Sequence, residues 1–523
     1  MQLWLSTLAQ HAAASPDTIA LRQWQDDGGN VAMTYSSLWE QVTAAAAFYR
    51  ARGVSQVGLV MSNSPAWVIT DLALLLAGVT SVPVPLTFTE TQAHSLLRHC
   101  DLVVCDLQGE DHISTWLQPP SLRVDFAGTI THPGQLSLQV LDSDWICKVI
   151  HTSGTTNAPK GVRIRAHGLE CLVTELLRHV EGTSWQHYLS LVPLSLLIEQ
   201  VTGIYMTLSR GGCISFLPVN LPLLGTSVVP AAEYWSWVCR TVPDALVLTP
   251  GMVQALAHQL HGLNTAGVCK TDAERNCLLF GSEVVPFIAC GGGAVSRDAL
   301  ASLLESGIPV YEGYGLSENS SVVSWNSPRH FRPGTAGKPL AHVQLKRTAE
   351  GELLLRSDSL FAGYLGTDPT ACEWDEDGWL NTGDIADIDS DGFVTIRGRR
   401  KHVIITASSR NISPEWVEGR YRELPFVEDV CLFGEGLNEL WGVFFIRAAD
   451  ERRHAALAAE IRHFGQHHLS SIDRVDQIIL KTVFEADRAD WFTVTGRPRR
   501  QKIAADLLVP VLENSTPQSE VTL

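Results

Sequence analysis

Short apolar runs alternate with helical patterns along the N-terminal part of the chain, and residues 57–85 show this most clearly. An apolar run is followed by a polar tetrapeptide, a longer apolar stretch that ends at Gly78, and a second apolar run. Asn63 or Ser64 can cap a helix, Pro65 suits its first turn, and Gly78 suits its exit. The segment therefore predicts a strand–helix–strand crossover, which implies a parallel sheet.

The same alternation recurs further along the chain. Asp244–Leu248 precedes a helical pattern from about Gly251, and Phe287–Ala289 precedes a second one near Arg297–Glu305. A further apolar strand is expected at Ile308–Tyr311. Repeated crossovers of this kind predict a large α/β domain.

The pattern changes after about residue 390. A turn and a short strand, Phe393–Ile396, lead to a helix that begins at Pro414, a strand over Val427–Phe433 and an amphipathic helix over Asp450–His468. These elements predict a small α+β domain. Because 523 residues are too many for one hydrophobic core, at least two domains are expected.

Composition and charge narrow the function without identifying it. Hydrophobic residues make up 45% of the chain and charged residues 18%, which is ordinary for a folded protein. A net charge of -17 argues against nucleic-acid binding as the main role, because phosphate backbones require a basic face. No apolar run has membrane-spanning length, and Met1–Ala14 lacks the basic start of a secretory signal. We therefore expect no transmembrane segment and a cytoplasmic location.

The eleven cysteines form no Cys-x-x-Cys pair, so neither a disulfide framework nor a zinc site is indicated. They are expected to be free, buried thiols.

A polar loop after the apolar run Trp145–Ile150 is the strongest candidate for chemistry. Its hydroxyls are those of Thr152, Ser153, Thr155 and Thr156, its glycines include Gly154 and Gly161, and its lysine is Lys160. Hydroxyl donors, a closely approaching backbone and a point charge together suit a triphosphate. The spacing differs from the common mononucleotide loop, because Pro159 precedes Lys160 and Gly161 follows it. The alternative is a Ser/Thr-rich surface turn.

A second candidate is Tyr311–Asn319, which follows an apolar strand. Ligands bind at the carboxyl ends of strands in open α/β sheets. Tyr314 can stack on a planar base, Gly313 and Gly315 permit close approach, and Glu318 can hold Mg²⁺. By itself, the segment fits a glycine-rich turn with a buried tyrosine equally well.

A third candidate is the acidic stretch that ends in Asn381-Thr-Gly-Asp384. The carboxylate of Asp384 can accept hydrogen bonds from two ribose hydroxyls. Isolated acidic turns are common and usually solvated, so this segment indicates a function only together with the other candidate segments.

Taken in this order, and together with Gly398-Arg399, the three segments resemble the adenylate-forming superfamily of acyl-CoA synthetases, adenylation domains and luciferases. Val192–Glu199 and Ile308–Glu318 look most similar to the fatty acyl-CoA synthetase branch. The resemblance implies an α/β fold with a large N-terminal domain of doubly wound sheets, residues 1–398, and a small, mobile α+β domain, residues 399–523. Rotation of the small domain about Lys401 is implied as well.

The resemblance also implies the reaction. A carboxylate attacks the α-phosphate of ATP to give an acyl-adenylate and pyrophosphate, and a thiol of CoA or of carrier-bound phosphopantetheine then displaces AMP. Mg²⁺ is the implied metal. The implied phosphate-binding residues are Thr152, Ser153, Gly154, Thr155, Thr156 and Lys160; the implied nucleotide-binding residues are Gly292, Gly293, Ala294, Tyr314, Gly315, Ser317, Asp384 and Arg399; and the implied magnesium-binding residues are Glu318 and Thr155.

The sequence departs from the family near its C-terminus, where a lysine usually bridges the carboxylate and the α-phosphate. Here Thr495-Gly496 aligns that lysine with Arg497, which keeps the charge but has a planar, bulkier head. Lys502 can replace it only if the loop shifts. A solvated basic edge, with slow or lost adenylation, is the alternative, and it makes a catalytically impaired nucleotide- or acyl-binding protein the competing function.

The acid itself is indicated only by class. Leu196 stands where the family usually has a histidine, and no aspartate stands out as a partner for an amino-acid ammonium group. A fatty or aryl acid is therefore expected. Leu194, Leu197, Ile198, Val201, Ile204 and Tyr205 have the spacing of a buried helix face and are expected to be mostly core. The acceptor is expected to be CoA, with an acyl carrier protein as the alternative.

Overall fold

The structure, a computed structural model, describes residues 2–113, 120–124, 130, 134, 136–138, 142–152, 160–224, 226, 230–293, 295–366, 374–400, 403–406, 411–435, 437–447, 454–471, 473–483, 488–492 and 498–515.

The strands of these ranges, in chain order, are β1 (Ile19–Trp24), β2 (Asn30–Thr34), β3 (Gln56–Val60), β4 (Thr80–Pro83), β5 (Leu102–Cys105), β6 (Ser121–Arg123), β7 (Ile146–Thr152), β8 (Lys160–Arg165), β9 (His187–Ser190), β10 (Cys213–Phe216), β11 (Ala245–Leu248), β12 (Phe287–Cys290), β13 (Val310–Leu316), β14 (Ser321–Trp325), β15 (Lys338–Pro339), β16 (Val343–Arg347), β17 (Glu352–Ser357), β18 (Leu380–Ile388), β19 (Val394–Arg399), β20 (Ile404–Ile405), β21 (Asn411–Ile412), β22 (Val427–Phe433), β23 (Trp441–Arg447) and β24 (Gln477–Val483).

The α-helices are α1 (Gln2–Ala14), α2 (Tyr35–Arg52), α3 (Pro65–Ala77), α4 (Glu90–Leu97), α5 (Leu107–Ile113), α6 (Ala166–His179), α7 (Leu197–Glu199), α8 (Thr207–Ser209), α9 (Ala231–Thr241), α10 (Pro250–Ala266), α11 (Asp272–Phe280), α12 (Arg297–Glu305), α13 (Pro414–Tyr421), α14 (His454–His468), α15 (Arg488–Trp491), α16 (Arg500–Ile503) and α17 (Val509–Ser515). Two π-helical segments, Gln200–Met206 and Ala504–Leu508, and the 3₁₀ turn Ser317–Asn319 complete them.

Two largely parallel sheets make up most of the large domain. One has nine strands in the order β15-β14-β13-β12-β11-β9-β10-β1-β2, and the other has six in the order β6-β5-β3-β4-β7-β8. Strands β9 to β13 all run parallel, as do β3, β4, β5 and β7. The carboxyl ends of each set therefore lie along one edge of their sheet, which is where α/β proteins bind ligands.

The predicted crossover at residues 57–85 is confirmed. Ser64, and not Asn63, caps helix α3, because its hydroxyl oxygen accepts from the Trp67 amide at 3.3 Å. Gly78 ends the helix at a φ of 72° in the left-handed region. Strands β3 and β4 on either side of the helix are parallel neighbours. The predicted strands and helices around residues 245–316 are confirmed as β11, α10, β12, α12 and β13.

Three smaller sheets follow. Strands β16 to β19 form an antiparallel sheet, β20 pairs with β21, and β22 to β24 form a three-stranded sheet that α14 covers. The largest hydrophobic core extends from Trp4 to Leu380, whereas a separate core begins at Ile404 and ends at Val475. The predicted α/β architecture with a large and a small domain is confirmed; the boundary at residues 398/399 lies between the two cores and stays a prediction. No helix in the described ranges has the length and apolarity to cross a membrane.

A fully buried ion pair fixes the strand that leads into the predicted phosphate loop. The Lys148 ammonium of β7 contacts the Asp71 carboxylate of α3 and donates to Ser81 Oγ at 3.1 Å. Tyr205 Oη donates to the other Asp71 oxygen at 2.6 Å. All four side chains are buried. Because a buried charge without its partner costs about 3–5 kcal/mol, this cluster holds β7 firmly against α3 and the π-helical segment.

Some local expectations were correct only in part. The apolar stripe around Leu197–Tyr205 is mostly core, as predicted, but it is not the face of one regular α-helix, since a short α-helical turn passes into a π-helix that is buried on all sides. Buried thiols were expected throughout, but of the ten described cysteines, all of them free, six are buried and Cys277 is exposed.

Candidate functional site

The candidate site lies at the carboxyl edge of the nine-stranded sheet. The register pairs Leu248 of β11 with Cys290 of β12, and Cys290 with Glu312 of β13. The turn after β12, which contains Gly292 and Gly293, therefore lies beside Tyr314. A side chain at Gly292 would meet nothing within 4 Å, and this glycine has a φ of 80°. The turn thus offers an open, closely approachable backbone next to an aromatic ring.

The first polar cluster joins Tyr314, Asp384 and Arg399. Tyr314 Oη donates to Asp384 Oδ2 at 2.5 Å, and Arg399 Nε lies 2.8 Å from Asp384 Oδ1. The Asp384 side chain is 4% exposed, whereas that of Arg399 is 56% exposed. Asp384 lies within strand β18 and Arg399 at the end of β19, its antiparallel neighbour. Asp384, interpreted from the sequence as a ribose ligand, therefore lies in a strand and not in a solvated acidic turn, and Tyr314 and Arg399, both also predicted to bind the nucleotide, contact it.

Electrostatics in this cluster favour a carboxylate that is held by donors. Burial raises the pKa of Asp384, while Arg399 and the Tyr314 hydroxyl oppose that shift. Burial and the Asp384 charge raise the pKa of Tyr314 well above its ordinary value, so its hydroxyl remains a donor at neutral pH. Because each carboxylate oxygen can accept two hydrogen bonds, the two contacts leave capacity for ribose hydroxyls.

The second polar cluster joins Lys160, Tyr364 and Glu318. Tyr364 Oη donates to Glu318 Oε1 at 2.7 Å, and the Lys160 ammonium lies 5.0 Å from the centre of the Tyr364 ring. Val162 of β8 forms an antiparallel bridge with Tyr364, which carries the tyrosine to this place. The contacts bring the end of the predicted phosphate loop to the segment that follows β13.

Glu318 fits a magnesium ion by its chemistry. It is a hard oxygen donor at the carboxyl edge of the sheet, and Mg²⁺ in phosphate-transfer sites is typically held by one or two carboxylates plus substrate phosphates and water. Within the described ranges, His, Cys, Asp and Glu side chains do not gather in groups of three or more that suit a metal. The described part of the chain thus forms no protein cage for a metal, and Glu318 suits Mg²⁺ that is shared with phosphates.

Glycines of the Tyr311–Asn319 segment serve the fold as well. A Cβ at Gly315 would lie 1.9 Å from the Ser321 carbonyl oxygen, so the neighbouring strand β14 alone requires glycine there. Ser320 and Ser321 adopt positive φ angles of 55° and 117° at the tight connection. Gly315 was expected to allow close approach of a ligand. In the structure, the group that comes close to it is the backbone of strand β14. Ser317 lies in the 3₁₀ turn with Glu318 and is partly buried.

Several predicted site residues lie outside the described residues. These are Ser153, Gly154, Thr155, Thr156, Ala294, Lys401 and Arg497, and for Thr152 only the backbone, at the end of β7, is described. Their proposed roles therefore stay predictions. The same holds for the roles of the described residues, of which the structure gives positions and contacts.

The segment on either side of residues 493–497 is anchored. Phe492 and Pro498 form an antiparallel bridge, and the Arg499 amide donates to the Trp491 carbonyl at 2.7 Å. Arg500 Nη2 lies 2.5 Å from Glu418 Oε2, and the Glu418 side chain is 1% exposed. This ion pair gives Arg500 a structural partner.

Lys502, the alternative cation, has a local partner as well. It lies on helix α16, and its ammonium is 3.1 Å from Asp506 Oδ2. The pair spans one helical turn on the surface, where such ion pairs contribute little. Lys502 therefore has a partner on its own helix, and the choice between Arg497 and Lys502 as the catalytic cation stays a prediction.

Tyr364 was missed by the sequence analysis. Its relation to Glu318 and Lys160 depends on pairing between β8 and a segment some two hundred positions later in the chain, and no local pattern signals such pairing. Only its aromatic character, close to the acidic stretch, could have suggested a role.

The comparisons with known proteins agree with this geometry. The family model described as AMP-binding enzyme matches residues 8–365. The long-chain-fatty-acid–CoA ligase FadD15 of Mycobacterium bovis is 27% identical over 484 residues, which cover 82% of this chain and 79% of that protein.

Solved structures share the fold. The anthranilate CoA ligase AuaEII in complex with anthranoyl-AMP aligns with a TM-score of 0.79 at 19% identity, covering 97% of this chain and 98% of that one. The O-succinylbenzoate coenzyme A synthetase of Bacillus subtilis in complex with ATP and magnesium ion aligns with a TM-score of 0.72 at 18% identity, covering 95% and 98%. The resemblance predicted from the sequence is confirmed: the chain belongs to the AMP-binding enzyme family.

Proposed function

We propose that this protein is an AMP-forming acid–thiol ligase. It joins a carboxylic acid to the α-phosphate of ATP, releases pyrophosphate, and then transfers the acyl group to the thiol of CoA. The family match and the ligases among its relatives support this reaction class. The observation that carries the proposal is the meeting of the Tyr314–Asp384 pair and the Tyr364–Glu318 pair along one sheet edge, next to the Gly292 turn.

In the first step, an oxygen of the substrate carboxylate bonds to the α-phosphorus while the bond from that phosphorus to the pyrophosphate oxygen breaks. The nucleotide is held by the Tyr314 ring and the turn at Gly292, Gly293 and Ala294 on the base, and by Asp384 with Arg399 on the ribose. Bound Mg²⁺ neutralises developing charge on phosphate oxygens, with Glu318 and Thr155 as its proposed ligands. Thr152, Ser153, Gly154, Thr156 and Lys160 are proposed to bind the phosphates.

The residues of this chain act by placement. Tyr364 orients the Glu318 carboxylate through its hydroxyl and supports the Lys160 ammonium with its ring. Arg497 is proposed to bridge the substrate carboxylate and the α-phosphate, since a guanidinium can donate to two oxygens at once. Groups placed in advance lose little orientational freedom when the transition state forms, which is the main source of rate in such transfers.

In the second step, the thiol sulfur attacks the acyl carbonyl, loses its proton, and AMP leaves. We propose that the small domain, residues 399–523, turns about Lys401 between the steps. Several described contacts would have to open in such a turn: Arg400 Nη1 lies 3.1 Å from Glu352 Oε2, and the Arg397 guanidinium lies 5.4 Å from the Trp416 ring centre. The Arg400 side chain is partly exposed, but that of Glu352 is only 4% exposed, so opening this pair removes a partner from a buried carboxylate and is a real cost of the turn.

The substrate is proposed to be an apolar acid, fatty or aryl. Leu196, at the end of the loop that follows β9, is 39% exposed and presents an apolar side chain at the carboxyl edge of the sheet. The names of the fatty-acid and anthranilate ligases above are consistent with either type. A cytoplasmic location remains part of the proposal and is tested by fractionating cells that produce the chain.

Pyrophosphate exchange across a panel of fatty, aryl and amino acids tests the proposal. Exchange with apolar acids, followed by acyl-CoA formation when CoA is added, is expected. Thioester on a carrier protein and none on CoA would instead identify a carrier-loading enzyme. Nucleotide binding without exchange for any acid would show a binding protein and reject the ligase.

Arg497→Ala tests the proposed catalytic cation, with Lys502→Ala as the matched control. Exchange should be abolished by Arg497→Ala, retained by Arg497→Lys and unaffected by Lys502→Ala. Loss of exchange in Lys502→Ala together with an active Arg497→Ala would show that the two residues were assigned the wrong way round.

A further inference from the structure

A buried asparagine connects the carboxyl edges of the two main sheets. Asn63 lies in the loop after β3 of the six-stranded sheet and is 8% exposed. Its Nδ2 donates to the Val192 carbonyl at 2.7 Å and to Ser190 Oγ at 2.9 Å, and its Oδ1 accepts from the Leu194 amide at 2.8 Å. Val192 and Leu194 belong to the loop that follows β9 of the nine-stranded sheet. The helix cap is made by Ser64, so capping does not account for Asn63.

A second layer of buried groups holds the same loop. Ser190 Oγ donates to Glu199 Oε1 at 2.7 Å, and Tyr188 Oη donates to Glu199 Oε2 at 2.8 Å. Gln200 Nε2 donates to the Leu194 carbonyl at 2.8 Å. Glu199 and Gln200 are fully buried. The backbone of Leu194 is therefore held at its amide by Asn63, which follows a strand of the six-stranded sheet, and at its carbonyl by Gln200 of the π-helical segment.

The held loop lies at the edge where the reaction is proposed to occur. Tyr188 of β9 pairs with Ala245 of β11, and Leu248 of β11 pairs with Cys290 of β12. The residues after β9 are thus level with those after β12, which form the proposed adenine turn. In the sheet order, β11 lies between β9 and β12. The Leu196 amide closes a turn onto the Pro193 carbonyl at 3.0 Å, and Leu196 is the exposed residue of that turn.

These features indicate that different loops at the carboxyl edge of the nine-stranded sheet bind the nucleotide and the acid. The turn after β12 and Tyr314 are proposed to take the nucleotide. The loop after β9 carries the apolar run Val192–Leu197 with no charged side chain, which suits an acyl or aryl group and not a phosphate. A wall of this kind discriminates only if its backbone is fixed, because a displacement of about 1 Å lowers reaction rates by large factors.

We propose that Asn63 is a positioning residue for the acid substrate, which holds the loop Val192–Leu197 as one wall of the acid site and acts on the acid without touching the nucleotide. The inference rests on the proposed ligase function. It assigns to Asn63, Ser190 and Glu199 a role in acid recognition that is separate from ATP binding.

Steady-state pyrophosphate exchange on the full chain tests the proposal, with the KM for the acid and the KM for ATP measured separately. Asn63→Ala removes the two contacts to the loop and the contact to Ser190 of β9, and is expected to raise the acid KM about tenfold, with the ATP KM changed less than about twofold. Asn63→Asp keeps the size and the acceptor for the Leu194 amide but loses both donors, so it should raise the acid KM in the same way.

Asn276→Ala is the matched control. Asn276 is also a buried asparagine of the large domain, 7% exposed, whose Nδ2 donates to the Glu283 carbonyl at 2.9 Å. It lies near the amino end of β12, opposite the proposed site. A comparable fall in melting temperature with both KM values unchanged is expected for this variant.

Each outcome decides the proposal. A selective rise of the acid KM in the Asn63 variants, absent in Asn276→Ala, supports it. Equal changes in both KM values, or no change, overturn it while leaving the ligase function intact. Should Asn63→Ala fail to fold, Asn63→Asp carries the same comparison. A wild-type protein without exchange for any acid overturns the ligase function and this inference together, and is recognised because it appears before any substitution is made.

Discussion

The buried carboxyl of Glu199 makes a sharp prediction about stability and pH. Glu199 is fully buried, and its oxygens accept from the Ser190 and Tyr188 hydroxyls. Burial raises its pKa from 4.5 to about 7, against the opposing effect of those hydrogen bonds. Glu199→Gln keeps the size and shape of the side chain and removes its titration. The variant therefore separates the ionisation from the packing.

The sign and size follow from linkage. Because the pKa is raised in the folded state, the folded protein binds more protons than the unfolded chain between pH 4.5 and about 7. The free energy of unfolding therefore falls as pH rises through that window and is level above it. At about 1.4 kcal/mol for each pKa unit, the contribution of this single group is about 3 kcal/mol. Glu199→Gln should lack this fall, so the wild type loses about 3 kcal/mol relative to the variant across the window.

Urea unfolding of both proteins, followed by tryptophan fluorescence at several pH values from about 4.5 to about 8, measures the difference directly. Burial also raises the pKa of Glu312 to about 7, and this group contributes equally to both proteins, so it cancels. A constant difference in unfolding free energy across the window would refute the reasoning and show that Glu199 titrates as an exposed carboxyl does.

Three further substitutions test the clusters of the site. Tyr314→Phe removes the donor to Asp384 and should raise the KM for ATP about tenfold in pyrophosphate exchange, with the acid KM unchanged. Tyr364→Phe removes the hydroxyl bond to Glu318 but keeps the ring below the lysine ammonium, so the Mg²⁺ concentration for half-maximal exchange should rise severalfold. Arg500→Ala leaves the buried Glu418 carboxylate without its ion-pair partner and should destabilise the small domain by about 3–5 kcal/mol in thermal unfolding. An unchanged melting temperature would show that the ion pair is unimportant.

Elements with strong local signals could be predicted from the sequence. Pro65 and Gly78 mark the two ends of the 13-residue helix α3, and the apolar runs on both sides indicate a crossover. The phosphate loop and the Tyr314 segment were identifiable for the same reason, because glycine, hydroxyl and charged residues lie next to one another along the chain. Functional residues that are neighbours in the sequence can therefore be recognised from the sequence alone.

Relations between distant segments could not be predicted. The acidic and glycine residues around Asp384 do not indicate a strand, yet pairing with β17 and β19 extends β18 through it. Tyr364 reaches Glu318 through long-range pairing, because Tyr364 bridges to Val162 of β8 and the Phe361 amide donates to the Glu318 carbonyl. From the sequence, Asn63 and Ser64 were equivalent candidates for the helix cap. Ser64 is the cap because the Asn63 side chain bonds to a loop that follows a strand of the other sheet. In each case the missing information is which strand lies beside which.

The distribution of these contacts separates binding from catalysis. Asn63 and Tyr364 each tie the six-stranded sheet to the nine-stranded sheet, so the proposed acid wall, magnesium ligand and adenine turn are all fixed within the large domain. Arg399 lies at the predicted boundary and Arg497 beyond it in the sequence, three residues before Arg500, which is paired with Glu418 of the small domain. If the small domain turns as proposed, the large domain holds both substrates in place while Arg497 moves into and out of the site. Loss of Arg497 should then lower the rate of adenylation and leave the affinities for ATP and acid nearly unchanged, because the other groups proposed to bind them, apart from Arg399, belong to the large domain.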